Sequence, residues 1–147
     1  MSYIRISDFM KKEPVITDPD ITISDAARIM SHNSIGSLIL VQDEKPYGIV
    51  TERDLVRRVI AAGKDPETVK VSEVCSMPVL TMAEDDALED AIDMMRAHKV
   101  RRIVVVNGEG KVSGVLTTDD LGYNIKRMSE ELAYEYIALS QRIRERP

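Results

Sequence analysis

One pattern occurs twice in this chain, and that repeat constrains the fold more than any other feature. Slid on itself by 64 to 66 residues, the sequence places Pro14-Val15-Ile16-Thr17 on Pro78-Val79-Leu80-Thr81. It also places Ile23-Ser24-Asp25-Ala26-Ala27-Arg28-Ile29-Met30 on Leu88-Glu89-Asp90-Ala91-Ile92-Asp93-Met94-Met95. Ser37-Leu38-Ile39-Leu40-Val41 falls on Arg102-Ile103-Val104-Val105-Val106. Gly48-Ile49-Val50-Thr51-Glu52-Arg53-Asp54-Leu55 falls on Gly114-Val115-Leu116-Thr117-Thr118-Asp119-Asp120-Leu121. The offset drifts by one residue at two loops only, so one order of elements is built twice.

Each copy reads β-α-β-β-α. A short strand follows a proline, at residues 15–17 and again at 79–81. Ile23, Ala26, Ala27 and Met30 recur at i, i+3, i+4 and i+7, as do Leu88, Ala91, Ile92 and Met95. That spacing predicts the buried stripe of a helix. Asp20, Thr22 and Ser24, and in the second copy Asp85 and Asp86, suit a helix start. Residues 38–41 and 103–106 are unbroken aliphatic runs, the mark of strands covered on both faces. The turn Asn107-Gly108-Glu109-Gly110 has hairpin chemistry. A third strand through Gly48-Ile49-Val50 or Gly114-Val115-Leu116 leads to a second helix near Thr51 or Thr117.

The expected fold class is therefore α/β (α+β): two β-α-β-β-α units packed as a pseudo-twofold pair, with a helix after them. The expected boundaries are 1–60, a linker at 61–68, 69–126, and a C-terminal amphipathic helix at 127–147. A unit of roughly 60 residues is marginal as a core by itself. With no Trp and one Phe in 147 residues, the core must be aliphatic. From Tyr123 to Arg146 the chain has neither Gly nor Pro, and Ile125, Met128, Leu132, Tyr136, Leu139 and Ile143 form a stripe. That stripe either folds back on its own domain or forms a subunit contact; the second is the expectation, giving a homodimer.

Several function classes are disfavoured. A net charge of −5 argues against a general nucleic-acid binder, though not against an anion held by a few arginines. The N-terminus lacks a signal-peptide run, and the longest aliphatic runs are far too short for a membrane span. One Cys makes no internal disulfide, which suits a reducing, cytoplasmic setting. Cys75, His32 and His98 match no zinc spacing and no nucleophile–base pattern. No metal, cofactor or catalytic residue is expected.

The paired segments Gly48-Ile49-Val50-Thr51-Glu52-Arg53-Asp54 and Gly114-Val115-Leu116-Thr117-Thr118-Asp119-Asp120 resemble the CBS domain, the regulatory module named after cystathionine beta-synthase. The resemblance covers residues 4 to about 126 as a tandem pair, or Bateman module. Lys99-Val100-Arg101-Arg102-Ile103-Val104-Val105-Val106 is also typical of the family's middle strand.

The chemistry of these residues stands beside the resemblance. A Thr at a strand-to-helix junction exposes its hydroxyl beside the first helical N–H groups, which favour an anion. An Asp one turn on can accept hydrogen bonds from both ribose hydroxyls, as acids do in dinucleotide-binding folds. Plain capping by Thr, with Asp in the first turn, explains either copy taken alone. Arg101 and Arg102 could pair bidentately with phosphate, or simply form surface ion pairs. Their counterparts Gly36 and Ser37 carry no charge, so the two sites should be unequal. Arg57-Arg58 reads as a solvated helix face.

The resemblance implies nucleotide clefts built from parts of both units. One would hold Ile16, Ile35, Gly36, Thr117 and Asp120, with Arg102 and Ser37 close by. The other would hold Leu80, Val100, Arg101, Thr51 and Asp54. It further implies a sensor of AMP, ADP or ATP, with NAD and S-adenosylmethionine ranked behind, that modulates an unidentified partner protein. The alternatives are a dimeric scaffold with empty clefts and an RNA-binding accessory protein.

Overall fold

The computed structural model describes residues 3–144, a mixed α/β arrangement with two sheets and five α-helices among them. In chain order the strands are β1 (Lys11–Lys12), β2 (Ile16–Thr17), β3 (Ser37–Gln42), β4 (Lys45–Thr51), β5 (Thr81–Ala83), β6 (Arg102–Val106) and β7 (Val112–Thr117). The helices are α1 (Ile23–Asn33), α2 (Glu52–Asp54), α3 (Leu88–His98), α4 (Thr118–Tyr123) and α5 (Glu130–Arg144). Short 3-10 turns cover Ile6–Asp8, Val71–Glu73 and Ile125–Arg127, and α2 runs on as a π-helix through Leu55–Ile60.

The compact units are not the ones the repeat suggests. Residues Met1–Pro14 fold with Leu80–Pro147, and Val15–Val79 forms the other unit. By contacts the chain divides differently from the sequence units expected at 1–60, 61–68 and 69–126: each repeat's leading arm belongs to the other repeat's unit. Residues 61–68, expected as a linker, lie inside the unit Val15–Val79. Backbone pairing decides this. Lys11 and Lys12 pair antiparallel with Val115 and Gly114 at the edge of the sheet β1-β7-β6-β5. Ser76 makes the matching bridge to Ile49 beside the sheet β2-β3-β4. Ile6 and Val71, at matching places in the two arms, are fully buried in these cores.

In the unit Val15–Val79, Thr22 caps α1 by accepting the Asp25 N–H at 3.2 Å. Ile23, Ala26 and Met30 are buried, but Ala27, expected in the stripe, is exposed. In the other unit the whole predicted stripe of α3, Leu88, Ala91, Ile92 and Met95, is buried. The difference has a cause: α5 packs over α3, placing Leu132 and Leu139 in the same core as Ile92. Both helices end on a residue forced into the left-handed region, Ser34 at φ 53° and Lys99 at φ 55°. The next residue closes the end, with Ile35 N–H to Met30 C=O at 3.0 Å and Val100 N–H to Met95 C=O at 3.1 Å.

The region after α4 is not one continuous helix. The chain passes through a 3-10 turn, and Ser129 starts a new helix. The Leu132 N–H donates to Ser129 Oγ at 3.2 Å and the Ala133 N–H to its carbonyl at 2.9 Å. Leu132 and Leu139 are buried and Tyr136 and Met128 pack against them, all within one unit. Leu132 and Leu139 of the stripe thus fold back on their own domain, where α3 supplies the apolar surface they need, in place of the subunit contact expected of them. Ile143, also assigned to the stripe, has a side chain outside the described residues. No helix among the described residues is long and apolar enough to cross a membrane.

Candidate functional site

Both Thr-x-x-Asp segments form closed capping boxes. Thr51 Oγ1 accepts the Asp54 N–H at 3.2 Å, and Asp54 Oδ2 accepts the Thr51 N–H at 2.9 Å. Thr117 Oγ1 accepts the Asp120 N–H at 3.2 Å, and Asp120 Oδ2 accepts the Thr117 N–H at 2.9 Å. In the first box the Thr51 hydroxyl also donates to Asp54 Oδ2 at 3.1 Å. Capping is therefore real at both places, and it shapes what else the residues can do. The Glu52 N–H is bound to the Gly36 carbonyl at 3.0 Å and the Thr118 N–H to the Arg101 carbonyl at 2.9 Å. Two of the first three helical N–H groups are thus engaged by the fold in each unit, so an anion at these helix starts cannot rely on backbone alone. A side-chain cation has to supply the difference.

The residues flanking each box are set by register. Ser37 pairs with Thr51 and Arg102 with Thr117, so Gly36-Ser37 and Arg101-Arg102 occupy equivalent entrances to the middle strands. Each pair lies beside the Thr of its own unit. Arg101 is exposed and Arg102 half-buried, as strand alternation predicts. Ile35 and Val100 follow the left-handed helix ends and pack on the core of their own units. Ile16 and Leu80 are not equivalent, contrary to their expected matching roles. Ile16 pairs with Ile39, and Thr81 pairs with Val104, the counterpart of Ile39. Leu80 therefore corresponds to Val15, and a one-residue slip turns a strand side chain to the opposite face. Ile16 is exposed and Leu80 half-buried.

The two glycines of the repeated motif serve the arms. A Cβ on Gly48 would lie 2.8 Å from Cys75 Sγ and 3.1 Å from the Ser76 carbonyl. On Gly114 it would lie 2.6 Å from Met10 Sδ and 2.8 Å from the Lys11 carbonyl. Only a residue without a side chain lets the arm approach this closely. Cys75 is a buried core thiol; burial pushes its pKa up, the nearby Asp54 carboxylate adds to this, and the Arg58 charge opposes it. Its reactivity is correspondingly low. His32 and His98 sit exposed in the last turns of α1 and α3. No group of three or more His, Cys, Asp or Glu could hold a metal ion among the described residues.

Sequence reasoning read Arg58 only as part of a solvated helix face. Its Nε lies 3.7 Å from Asp54 Oδ1, and its Nη1 donates to the Val74 carbonyl at 2.9 Å. The spacing of four residues on one helix was the available signal. At the matching position of the other unit, Asn124 Nδ2 donates to the Asp120 carbonyl at 2.7 Å.

The sequence pattern of the CBS domain matches residues 6–61 and 71–125, and the chain belongs to that family as a tandem pair. It is 32% identical over 128 residues to the CBS domain-containing protein YhcV of Bacillus subtilis, covering 87% of this chain and 89% of that protein. It is 31% identical over 137 residues to an uncharacterized protein of Methanopyrus kandleri, covering 90% of this chain and 70% of the other. Among solved structures, a CBS domain protein from Pyrobaculum aerophilum complexed with AMP superposes with a TM-score of 0.77 at 28% identity. That superposition covers 92% of this chain and 99% of the other.

Proposed function

We propose that this protein is a cytoplasmic regulatory module that binds an adenine nucleotide and modulates a partner protein when it does. AMP, ADP and ATP rank ahead of NAD and S-adenosylmethionine. The observation that carries the reading is the duplicated box itself: Thr51 with Asp54, and Thr117 with Asp120, in the same backbone geometry. Each holds a carboxylate in one orientation, suited to accept from a ribose diol. The similarity to the Pyrobaculum aerophilum protein, which was solved with AMP, favours an adenine ligand. Arg101 and Arg102 are the cations placed beside the Thr117 box, whereas Gly36 and Ser37 offer none, so we assign unequal phosphate affinity to the two sites. Ile16, Leu80, Ile35 and Val100 would give the base its apolar contacts. A homodimer belongs to the same proposal, and light scattering tests it.

Calorimetry with AMP, ATP, NAD and S-adenosylmethionine tests the function. Asp54→Ala and Asp120→Ala should each lower affinity at least about tenfold at the affected site, the worth of a hydrogen bond to a charged group. ATP should be recovered intact. Absence of heat and of any thermal shift with all four ligands would replace the sensor by an interaction scaffold.

A further inference from the structure

We propose that Arg58 is the positioning residue of the Asp54 carboxylate and makes this site selective for ribonucleotides over 2′-deoxyribonucleotides. The inference rests on the nucleotide-binding reading above and names a determinant within it. Asp54 is held from two sides. Its Oδ2 accepts from the Thr51 N–H at 2.9 Å and from the Thr51 hydroxyl at 3.1 Å, while its Oδ1 faces Arg58 Nε at 3.7 Å. The Asp54 side chain is 13% exposed and that of Arg58 52%, so solvent screens the ion pair on the guanidinium side and much less on the carboxylate side. The guanidinium is itself anchored, because Nη1 donates to the Val74 carbonyl at 2.9 Å. A carboxylate held at both oxygens keeps one plane and so presents its remaining lone pairs in set directions. A diol must meet those directions with two O–H groups at once, and preorganisation of this kind raises affinity without new contacts.

The other unit supplies an internal control. Thr117 and Asp120 repeat the box, but Asn124 replaces Arg58, and its Nδ2 donates to the Asp120 backbone carbonyl. Asn124 brings no charge. If the ion pair sets ribose selectivity, removing Arg58 should have an effect that removing Asn124 does not.

The experiment is calorimetric titration of the full chain with AMP, 2′-deoxy-AMP and adenosine, for the wild type, Arg58→Gln, Arg58→Lys, Asp54→Ala and Asn124→Ala. We expect Arg58→Gln to shrink the preference for AMP over 2′-deoxy-AMP roughly two- to fivefold, the size of a partly exposed ion pair beyond hydrogen-bond distance. Arg58→Lys keeps the charge without the fork and should restore part of the preference, and it also serves if the Gln variant does not fold. Asn124→Ala should leave the ratio unchanged. Equal losses for both nucleotides in Arg58→Gln would make Arg58 a structural support and overturn the proposal. An intact ribose preference with a lost preference for AMP over adenosine would make it a phosphate contact and overturn it too. Wild type binding neither nucleotide defeats the underlying reading. Wild type showing a ribose preference that Asp54→Ala abolishes and Arg58→Gln spares defeats the Arg58 assignment alone.

Discussion

The unit Val15–Val79 and the unit of Met1–Pro14 with Leu80–Pro147 follow one backbone plan and differ in what surrounds it. Both have a parallel β-α-β start, an antiparallel hairpin, a ladder irregularity at Leu40/Val41 or Val105/Val106, and a Thr-capped second helix. They part at three places. Only the second has a helix, α5, over its first helix. The helix after Thr51 passes from α into π at Leu55–Ile60, with Ala61 N–H to Val56 C=O at 2.8 Å, whereas the helix after Thr117 is α. Arg58 and Gly36-Ser37 in one unit stand where Asn124 and Arg101-Arg102 stand in the other. The positions that stayed alike are those the backbone demands: the second-helix caps, the close-approach glycines and the aliphatic middle strands. The positions that diverged are side chains near the carboxylate, where charge and reach can change without disturbing the ladder.

The comparison breaks most readily at α5. Leu139 is 1% exposed in the second unit's core, and Leu139→Ala should cost about 2–5 kcal/mol. Urea unfolding followed by circular dichroism would show it. Tyr134→Ala, at a residue 77% exposed on the same helix, should barely move the midpoint. Equal effects of the two would remove α5 from the core and the first difference between the units with it.

The arms come next. Gly114→Ala and Gly48→Ala should each destabilise by about 1–3 kcal/mol through overpacking, the former more. At Gly114 the added methyl meets the Lys11 carbonyl at 2.8 Å, a backbone atom that cannot swing away. At Gly48 the nearest atom is Cys75 Sγ, also at 2.8 Å, with the Ser76 carbonyl at 3.1 Å. Adding Cys75→Ala should therefore rescue part of the Gly48→Ala loss, while Met10→Ala should leave most of the Gly114→Ala loss in place. Thermal melts of the double variants decide it, and equal rescue would mean that the two arms sit alike.

The smallest effect concerns Cys75, for which the other arm has Met10. The thiol pKa is raised by burial in the folded state. Its contribution to stability is then fully present below the unfolded thiol's pKa, about 8.5, and is lost as pH rises through the folded value. Wild type should lose stability more steeply than Cys75→Ala above that pH. Parallel curves would place the thiol in contact with solvent.

Much of the local structure around the candidate site was readable from the sequence. Thr51 and Thr117 cap the second helices, the plain alternative weighed beside ligand contact, and the first-helix stripes hold except at Ala27. The likeness of the two arms, though not their exchange, was also written in the chain. Arg5-Ile6-Ser7-Asp8-Phe9-Met10 aligns with Lys70-Val71-Ser72-Glu73-Val74-Cys75, and each arm carries the same backbone-to-carboxylate bond, Arg5 N–H to Asp8 Oδ2 at 3.1 Å and Lys70 N–H to Glu73 Oε2 at 2.7 Å. No local pattern says which unit such an arm will join, because that depends on pairing with strands distant in the chain.

What the sequence determined by itself was everything governed by neighbours within about one helical turn or one strand period: the repeat, the order of elements, the Thr caps and the aliphatic strands. These follow from propensity, capping and periodicity, which act over a few residues. Only the tertiary structure decided which arm completes which sheet, that Ala27 lies open while Ile92 is covered, and that Leu80 is out of step with Ile16. It also decided that Arg58 reaches both Asp54 and the Val74 carbonyl. Each of those rests on contacts between distant segments, where the atoms that end up 3 or 4 Å apart are chosen by packing and register rather than by the spacing of residues along the chain.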